Sequence, residues 1–152
     1  MGYLKKSTQD ITLDEAANEF HKVKRSIENL LYKLGDEGDN LRTERDDLDQ
    51  EYLRSEYVSL LEKLDDVYRR LNYLSKPVTE QGYIKHNELK RYELPSGAYL
   101  TSGSTCEILY NDSKYNEQYW IYTSIEHNGD DYYATALGKD ISIKGMMIRI
   151  RE

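Results

Sequence analysis

Hydrophobic positions change their spacing about halfway along the chain. From Ala16 they recur as Phe20, Val23, Ile27, Leu30 and Leu34, alternating steps of four and three. That spacing predicts an amphipathic helix with a heptad seam. Thr12 followed by Glu15 fits a capping box, in which hydroxyl and carboxylate satisfy free backbone N–H groups reciprocally. Gly35 is a natural C-terminal cap, and Gly35-Asp36-Glu37-Gly38-Asp39 reads as a turn. A second helical pattern is expected from about Asn40 to Leu74. Its later part alternates again through Tyr57, Leu60, Leu64, Val67, Leu71 and Leu74. Its charged early part, Arg42 to Gln50, implies a longer or interrupted helix.

Together these segments predict an antiparallel helical hairpin over residues 12–76, behind a flexible lead-in at 1–11. Two helices with one apolar seam each bury little alone. Phe20, Val23, Ile27, Leu30, Leu60, Leu64, Val67 and Leu71 are therefore candidates for self-association in a four-helix bundle. Packing against the remainder of the chain is the competing solution. Pro77 ends the helix, because the residue before proline avoids helical dihedrals. Residues 77–81 are expected to form a linker.

From residue 82 onward the pattern is short and alternating. Strands are expected at Gly82–His86, Leu89–Leu94, Thr105–Tyr110, Tyr119–Glu126, Asp131–Leu137 and Met146–Arg151. Pro95-Ser96-Gly97 is a turn and Asn111–Gln118 a polar loop. Asn128-Gly129 reads as a two-residue hairpin turn, since both positions tolerate positive φ. So many short strands over 82–152 imply a small SH3-like, mostly antiparallel β barrel. The expected class is α+β.

Composition adds constraints on partners. The 152 residues carry a net charge of −7. Residues up to Lys76 hold 13 basic and 17 acidic side chains, and those beyond hold 8 and 11, so neither half is a charged tail. An acidic chain lacks the clustered cations that neutralise phosphates, which disfavours nucleic acid and an anionic membrane surface. It suits a protein partner with a basic surface. A single cysteine, Cys106, precludes an intrachain disulfide. No secretory signal or membrane-length apolar run is present, so a cytoplasmic location is expected. Fifteen tyrosines stand against one Phe and one Trp. Tyrosine suits both recognition surfaces and the half-exposed sheets of small domains.

The stretch from Gly82 to Arg151 resembles an uncharacterised small β-domain family of Firmicutes, often carried on plasmids, phages and integrated elements. The resemblance rests on Tyr99-Leu100-Thr101-Ser102-Gly103-Ser104, Tyr119-Trp120, Ile125-Glu126-His127 with Asp131-Tyr132-Tyr133, and Gly145-Met146-Met147-Ile148-Arg149-Ile150-Arg151. It spans a little under half the chain and implies a small β fold without an assigned activity. It also implies a mobile-element setting, in which small acidic proteins inhibit host defence nucleases, anti-CRISPR proteins among them.

Candidate chemistry is sparse. Glu126, His127, Asp130 and Asp131 have the side chains of a metal or acid/base site. They straddle a turn, however, and Glu126 and His127 would point to opposite sides of a strand. Cys106 as a nucleophile would need His21, His86 or His127 as base, and no nucleophile motif surrounds it. No Gly-rich phosphate fingerprint is present. No enzyme, metal or cofactor is expected.

Binding is the better-supported expectation. If Ile121 and Ile125 point inward, Trp120 and Tyr122 lie on the opposite face as a protein-binding hot spot, with Tyr132 added. The acidic run Glu44, Asp46, Asp47, Asp49 and Glu51 is a second candidate, a negative face mimicking phosphate in a nuclease groove. The expected function is therefore a non-enzymatic protein-binding module, in its narrower form an inhibitor of a host CRISPR-type complex. Two alternatives stay open. A single-strand or RNA binder would use Trp120, Tyr122, Tyr132 and Tyr133 with Lys90, Arg91, Arg149 and Arg151. An adaptor would dimerise through the helical hairpin.

Overall fold

The computed structural model describes residues 4–152. The fold is α+β, a helical hairpin followed by antiparallel strands. The chain divides into two compact units, one ending at Ser75 and the other running Lys76–Glu152. The lead-in expected over 1–11 lies partly outside the described residues, and residues 4–11 form neither helix nor strand. Among the described residues no helix is long and apolar enough to cross a membrane.

Helix α1 spans Leu13–Leu34. Its capping box is formed: the Thr12 hydroxyl accepts from the Glu15 N–H at 3.1 Å, and the Glu15 carboxylate accepts from the Thr12 N–H at 2.8 Å. Gly35, at φ 79°, closes the helix by donating to the Leu31 carbonyl at 2.8 Å. Helix α2 spans Leu48–Leu74, 27 residues against 22 in α1, and begins only at the end of the charged stretch from Asn40, where the sequence allowed an interruption. The delay has a local cause. Asp47 adopts an extended N-cap conformation, and its carboxylate accepts from the N–H groups of Asp49 and Gln50, each at 3.0 Å. Asp46 before it takes φ 65°. An aspartate that can cap competes effectively with helix continuation, because its short side chain bonds nearby backbone.

The hairpin buries Ile27 of α1 and Leu61 of α2. Beside them Lys24 donates to the Asn72 side-chain carbonyl at 2.9 Å. Burial in the turn falls on Gly38, whose φ is 75°. A Cβ there would meet Val58 Cγ2 at 2.8 Å.

In the second unit, strands β1 (Val78–Tyr83), β4 (Thr105–Asp112), β5 (Glu117–His127), β6 (Tyr132–Ala134) and β7 (Met147–Arg151) form one sheet ordered β1-β7-β4-β5-β6. Strands β2 (Lys85–His86) and β3 (Tyr92–Glu93) pair separately. Every pairing is antiparallel. The hydrogen-bonded order ends at β1 and β6, so the ladder does not run continuously around a closed barrel. Much of the core comes instead from outside the five strands, through Ile84, Tyr92, Leu94, Leu100 and Ile143. These pack with Cys106, Ile108, Ile125, Ala134 and Ile148.

Several local expectations shift: Gly82–His86 divides between β1 and β2, Leu89–Leu94 shortens to Tyr92–Glu93, and Asp131–Leu137 shortens to Tyr132–Ala134. Most of the linker expected at 77–81 is strand β1, held by β7 at the far end of the unit. The β4–β5 loop shrinks to residues 113–116, because polar Asn111 and Gln118 pair across the strands. The Asn-Gly turn is a four-residue loop, 128–131, rather than a two-residue one. There the Asn128 carboxamide accepts from the N–H groups of Asp130 and Asp131, and Gly129 alone takes positive φ. An Asx turn has replaced the primed turn.

Candidate protein-binding face

Strand β5 sorts its side chains by alternation. Ile125 is fully buried in the core and Ile121 packs against it, so Trp120 and Tyr122 occupy the opposite face. Register then supplies their neighbours. Leu109 of β4 stands opposite Trp120, Glu107 opposite Tyr122, and Arg149 of β7 opposite Glu107.

Glu107 is the centre of this face. Its Oε2 accepts from Arg149 Nε and from Arg151 Nε, both at 3.0 Å, and its Oε1 accepts from Arg149 Nη2 at 3.0 Å. The Arg149 fork therefore grips the carboxylate bidentately, the geometry in which guanidinium pairs best. Arg151 also donates to the Lys76 carbonyl at 2.9 Å. Burial pushes the Glu107 carboxyl up. The hydrogen bonds and charges of the two arginines outweigh it and hold the pKa below its ordinary value. So fixed, the Arg149 guanidinium lies 4.1 Å from the centroid of the Trp120 ring, a cation–π contact. The result is an aromatic side chain and an arginine locked by a nearly buried carboxylate, with Leu109 and Tyr122 alongside.

The structure places the other expected site residues elsewhere. Tyr132 pairs with His127 and packs against the core; register puts Tyr133, opposite Glu126, on the Trp120 side. Glu44, Asp46, Asp47, Asp49 and Glu51 do not form one helical face. Glu44 and Asp46 lie in the loop before α2, Asp47 caps the helix, and Asp49 and Glu51 stand in its first turn. Carboxylates there offset the positive end of the helix dipole, so three of the five have a local structural role. Phe20, Val23, Leu30, Leu60 and Val67 are exposed, Leu64 and Leu71 half-buried, and Ile27 buried. The basic residues split between elements: Arg149 and Arg151 on β7 bind Glu107, whereas Lys90 and Arg91 lie between β2 and β3, with Arg91 4.9 Å from the Tyr99 ring centroid.

The candidate chemical residues also separate. Glu126 and His127 face opposite sides of β5. His127 accepts from the Gly129 N–H at 3.0 Å. Asp131 turns away from them: its Oδ1 meets His86 Nε2 at 2.9 Å, and its Oδ2 accepts from the Tyr92 hydroxyl at 2.7 Å. The His86 ring stacks on Tyr92 with centroids 4.1 Å apart. Burial pushes the Tyr92 hydroxyl up to about 12, reinforced by its bond to Asp131. Burial also pushes Asp131 up, but the bonds from Tyr92, His86 and the Tyr132 N–H outweigh it and lower its pKa. Cys106 is fully buried, and burial, with the Glu107 charge, pushes its thiol up to about 12. Among the described residues no group of three or more His, Cys, Asp or Glu side chains gathers in a metal-binding arrangement.

Sequence reasoning singled out Trp120, Tyr122, Arg149 and Arg151 but missed Glu107 and the His86–Asp131–Tyr92 contact. For Glu107 a signal existed. A carboxylate between the apolar Cys106 and Ile108, on a strand with outward parity, asks for a cationic neighbour. For His86 and Asp131, 45 residues apart, there was none.

Residues 82–150 match a protein family described as a domain of unknown function (DUF5348). The match begins within β1 and ends within β7, and the helical hairpin lies outside it. No curated protein matches the chain, and no solved structure does.

Proposed function

We propose that this chain works by binding rather than by chemistry, as a protein-binding module whose β unit presents the face around Trp120. The observation that carries the reading is Arg149, held 4.1 Å from the centroid of the Trp120 ring by a carboxylate it grips twice. Tryptophan, arginine and tyrosine are the residues on which binding energy concentrates. Side chains ordered before contact lose less entropy when a partner arrives, which favours affinity.

A protein partner is favoured over nucleic acid because both guanidiniums on this face already bind Glu107. Phosphate would have to displace a bidentate carboxylate in a chain of net charge −7. The buried, raised thiol of Cys106 and the tying of His86 and Asp131 to Tyr92 support the non-enzymatic part of the proposal. Its narrower form is inhibition of a CRISPR-type nucleic-acid-processing complex. Exposed Glu44 and Asp46 and the overall acidity support it, as groups that can meet a basic groove.

The test is affinity capture from host lysate with the full chain, Trp120→Ala and the exposed-site control Lys139→Ala, each with and without nuclease. A protein retained by the parent and by Lys139→Ala after nuclease, but lost with Trp120→Ala, is expected. Capture that disappears on nuclease treatment, or that Trp120→Ala leaves intact, would overturn the assignment of this face.

A further inference from the structure

The intrachain hairpin leaves most of its apolar stripe uncovered. Phe20, Val23 and Leu30 of α1 and Leu60, Val67 and Leu74 of α2 each expose between 37% and 56% of their surface. Only Ile27 and Leu61 are buried between the helices, with Tyr73 further along α2. At about 100° per residue, the stripe on α2 lies roughly 90° round the helix from Leu61. Val23 and Leu30 of α1 sit about 40–60° round from Ile27, where they meet Leu64 of α2, while Phe20 lines a neighbouring groove with Leu71 and Leu74. A groove lined by Val23, Ile27, Leu30 and Leu64 joins the two rows. The two stripes are thus one continuous face, not two separate patches.

We infer that this face takes a second copy of the chain, completing a four-helix bundle from two hairpins. The first argument is area. With Leu53 and Tyr57, which extend the α2 row, eight large side chains are 37–56% exposed and together leave on the order of 700 Å² of residue surface open, backbone and the Tyr57 hydroxyl included. That is close to the ~800 Å² each partner contributes to a standard interface. Its apolar part lies at the upper end of the roughly 300–600 Å² patch that is the largest on a typical monomer.

The second argument is pattern. Both rows keep the alternating three-and-four spacing whose period, close to 3.5 residues, makes helices wrap on helices. A hairpin presenting two such rows side by side is its own complement under a twofold axis. The third is charge. The rim along α1 carries Glu19 and Lys22, paired at 2.7 Å. The rim along α2 carries Glu56 and Lys63. Because both signs alternate, a second acidic copy docks without facing a like-charged border.

This inference concerns the helical unit and stands whether or not Trp120 binds a partner. Its test is the solution mass of the full chain by sedimentation and light scattering. The expected mass is twice the 17.9 kDa of one chain at micromolar concentration. Leu60→Glu with Val67→Glu should return it to one chain while the helical circular dichroism persists, since Leu61 and Ile27 are untouched. Should that pair unfold the hairpin, Leu60→Ala gives the same reading as a dissociation constant weakened at least tenfold. A parent that stays monomeric at about 100 µM overturns the inference, including one whose hairpin instead binds an unrelated helix. A dimer that Leu60→Ala does not weaken overturns it as well.

Discussion

Replacing Glu107 with Gln isolates what holds the Trp120 face. The Glu107 side chain is 7% exposed and serves Arg149 and Arg151, themselves 22% and 18% exposed. Glutamine keeps the shape and one acceptor but removes the charge, leaving two guanidiniums at alternate positions of β7 without their counter-ion. Breaking a buried pair from one side costs about 3–5 kcal/mol, and partial exposure of the arginines places this case at the lower end. For a unit the size of Lys76–Glu152, about 3 kcal/mol lowers the melting temperature by roughly 12–24 °C. Thermal unfolding followed by tryptophan emission is the assay, because Trp120 is the only tryptophan and Arg149 lies on its ring. Combining Glu107→Gln with Arg149→Gln should cost less than the two singles together, since each removes the same bond.

The pH dependence gives a second check on the same substitution. Glu107 titrates below its ordinary value in the folded chain. Its stabilisation is therefore full above the unfolded pKa of about 4.3 and lost as pH falls through the folded one. The gap between parent and Glu107→Gln should close on acidification. A variant melting within about 3 °C of the parent at pH 7, or a gap that widens in acid, would refute the reasoning.

Asp131→Asn should destabilise the β unit by about 1–3 kcal/mol at neutral pH, measured in urea, because it weakens the acceptor for Tyr92 and His86. Asp131 is also held below its ordinary pKa, so its contribution is present above the unfolded value of about 3.9 and disappears as pH falls further. Gly82→Ala would bring a Cβ to 2.5 Å from Pro95 Cδ, part of a rigid ring. A loss of about 1–3 kcal/mol is expected from such overpacking. Gly103→Ala, where a Cβ meets open space but φ is 85°, reports the backbone strain alone for comparison.

Features decided within a few residues were legible from the chain alone. The Thr12–Glu15 box and Gly35 set both ends of α1, because capping is a contact between near neighbours. The alternation of β5 put Trp120 and Tyr122 opposite Ile121 and Ile125, because strand parity is a property of the backbone alone. The heptad spacing marked the apolar rows of the hairpin, though not how little of them one chain covers. Even the late start of α2 was within reach, since Asp47 is an N-cap residue, but several neighbouring aspartates offered the same signal. Register across long separations came from the assembled fold. Residues 78–81 become a strand because β7 pairs with them. Glu107 becomes the centre of a site because β7 brings Arg149 and Arg151 to alternate positions beside it. Asp131 leaves a turn cluster for His86 and Tyr92 because the β2–β3 pair meets the β5–β6 loop. None of these partners has a fixed spacing along the chain, and the energy that selects them comes from burying the whole core at once.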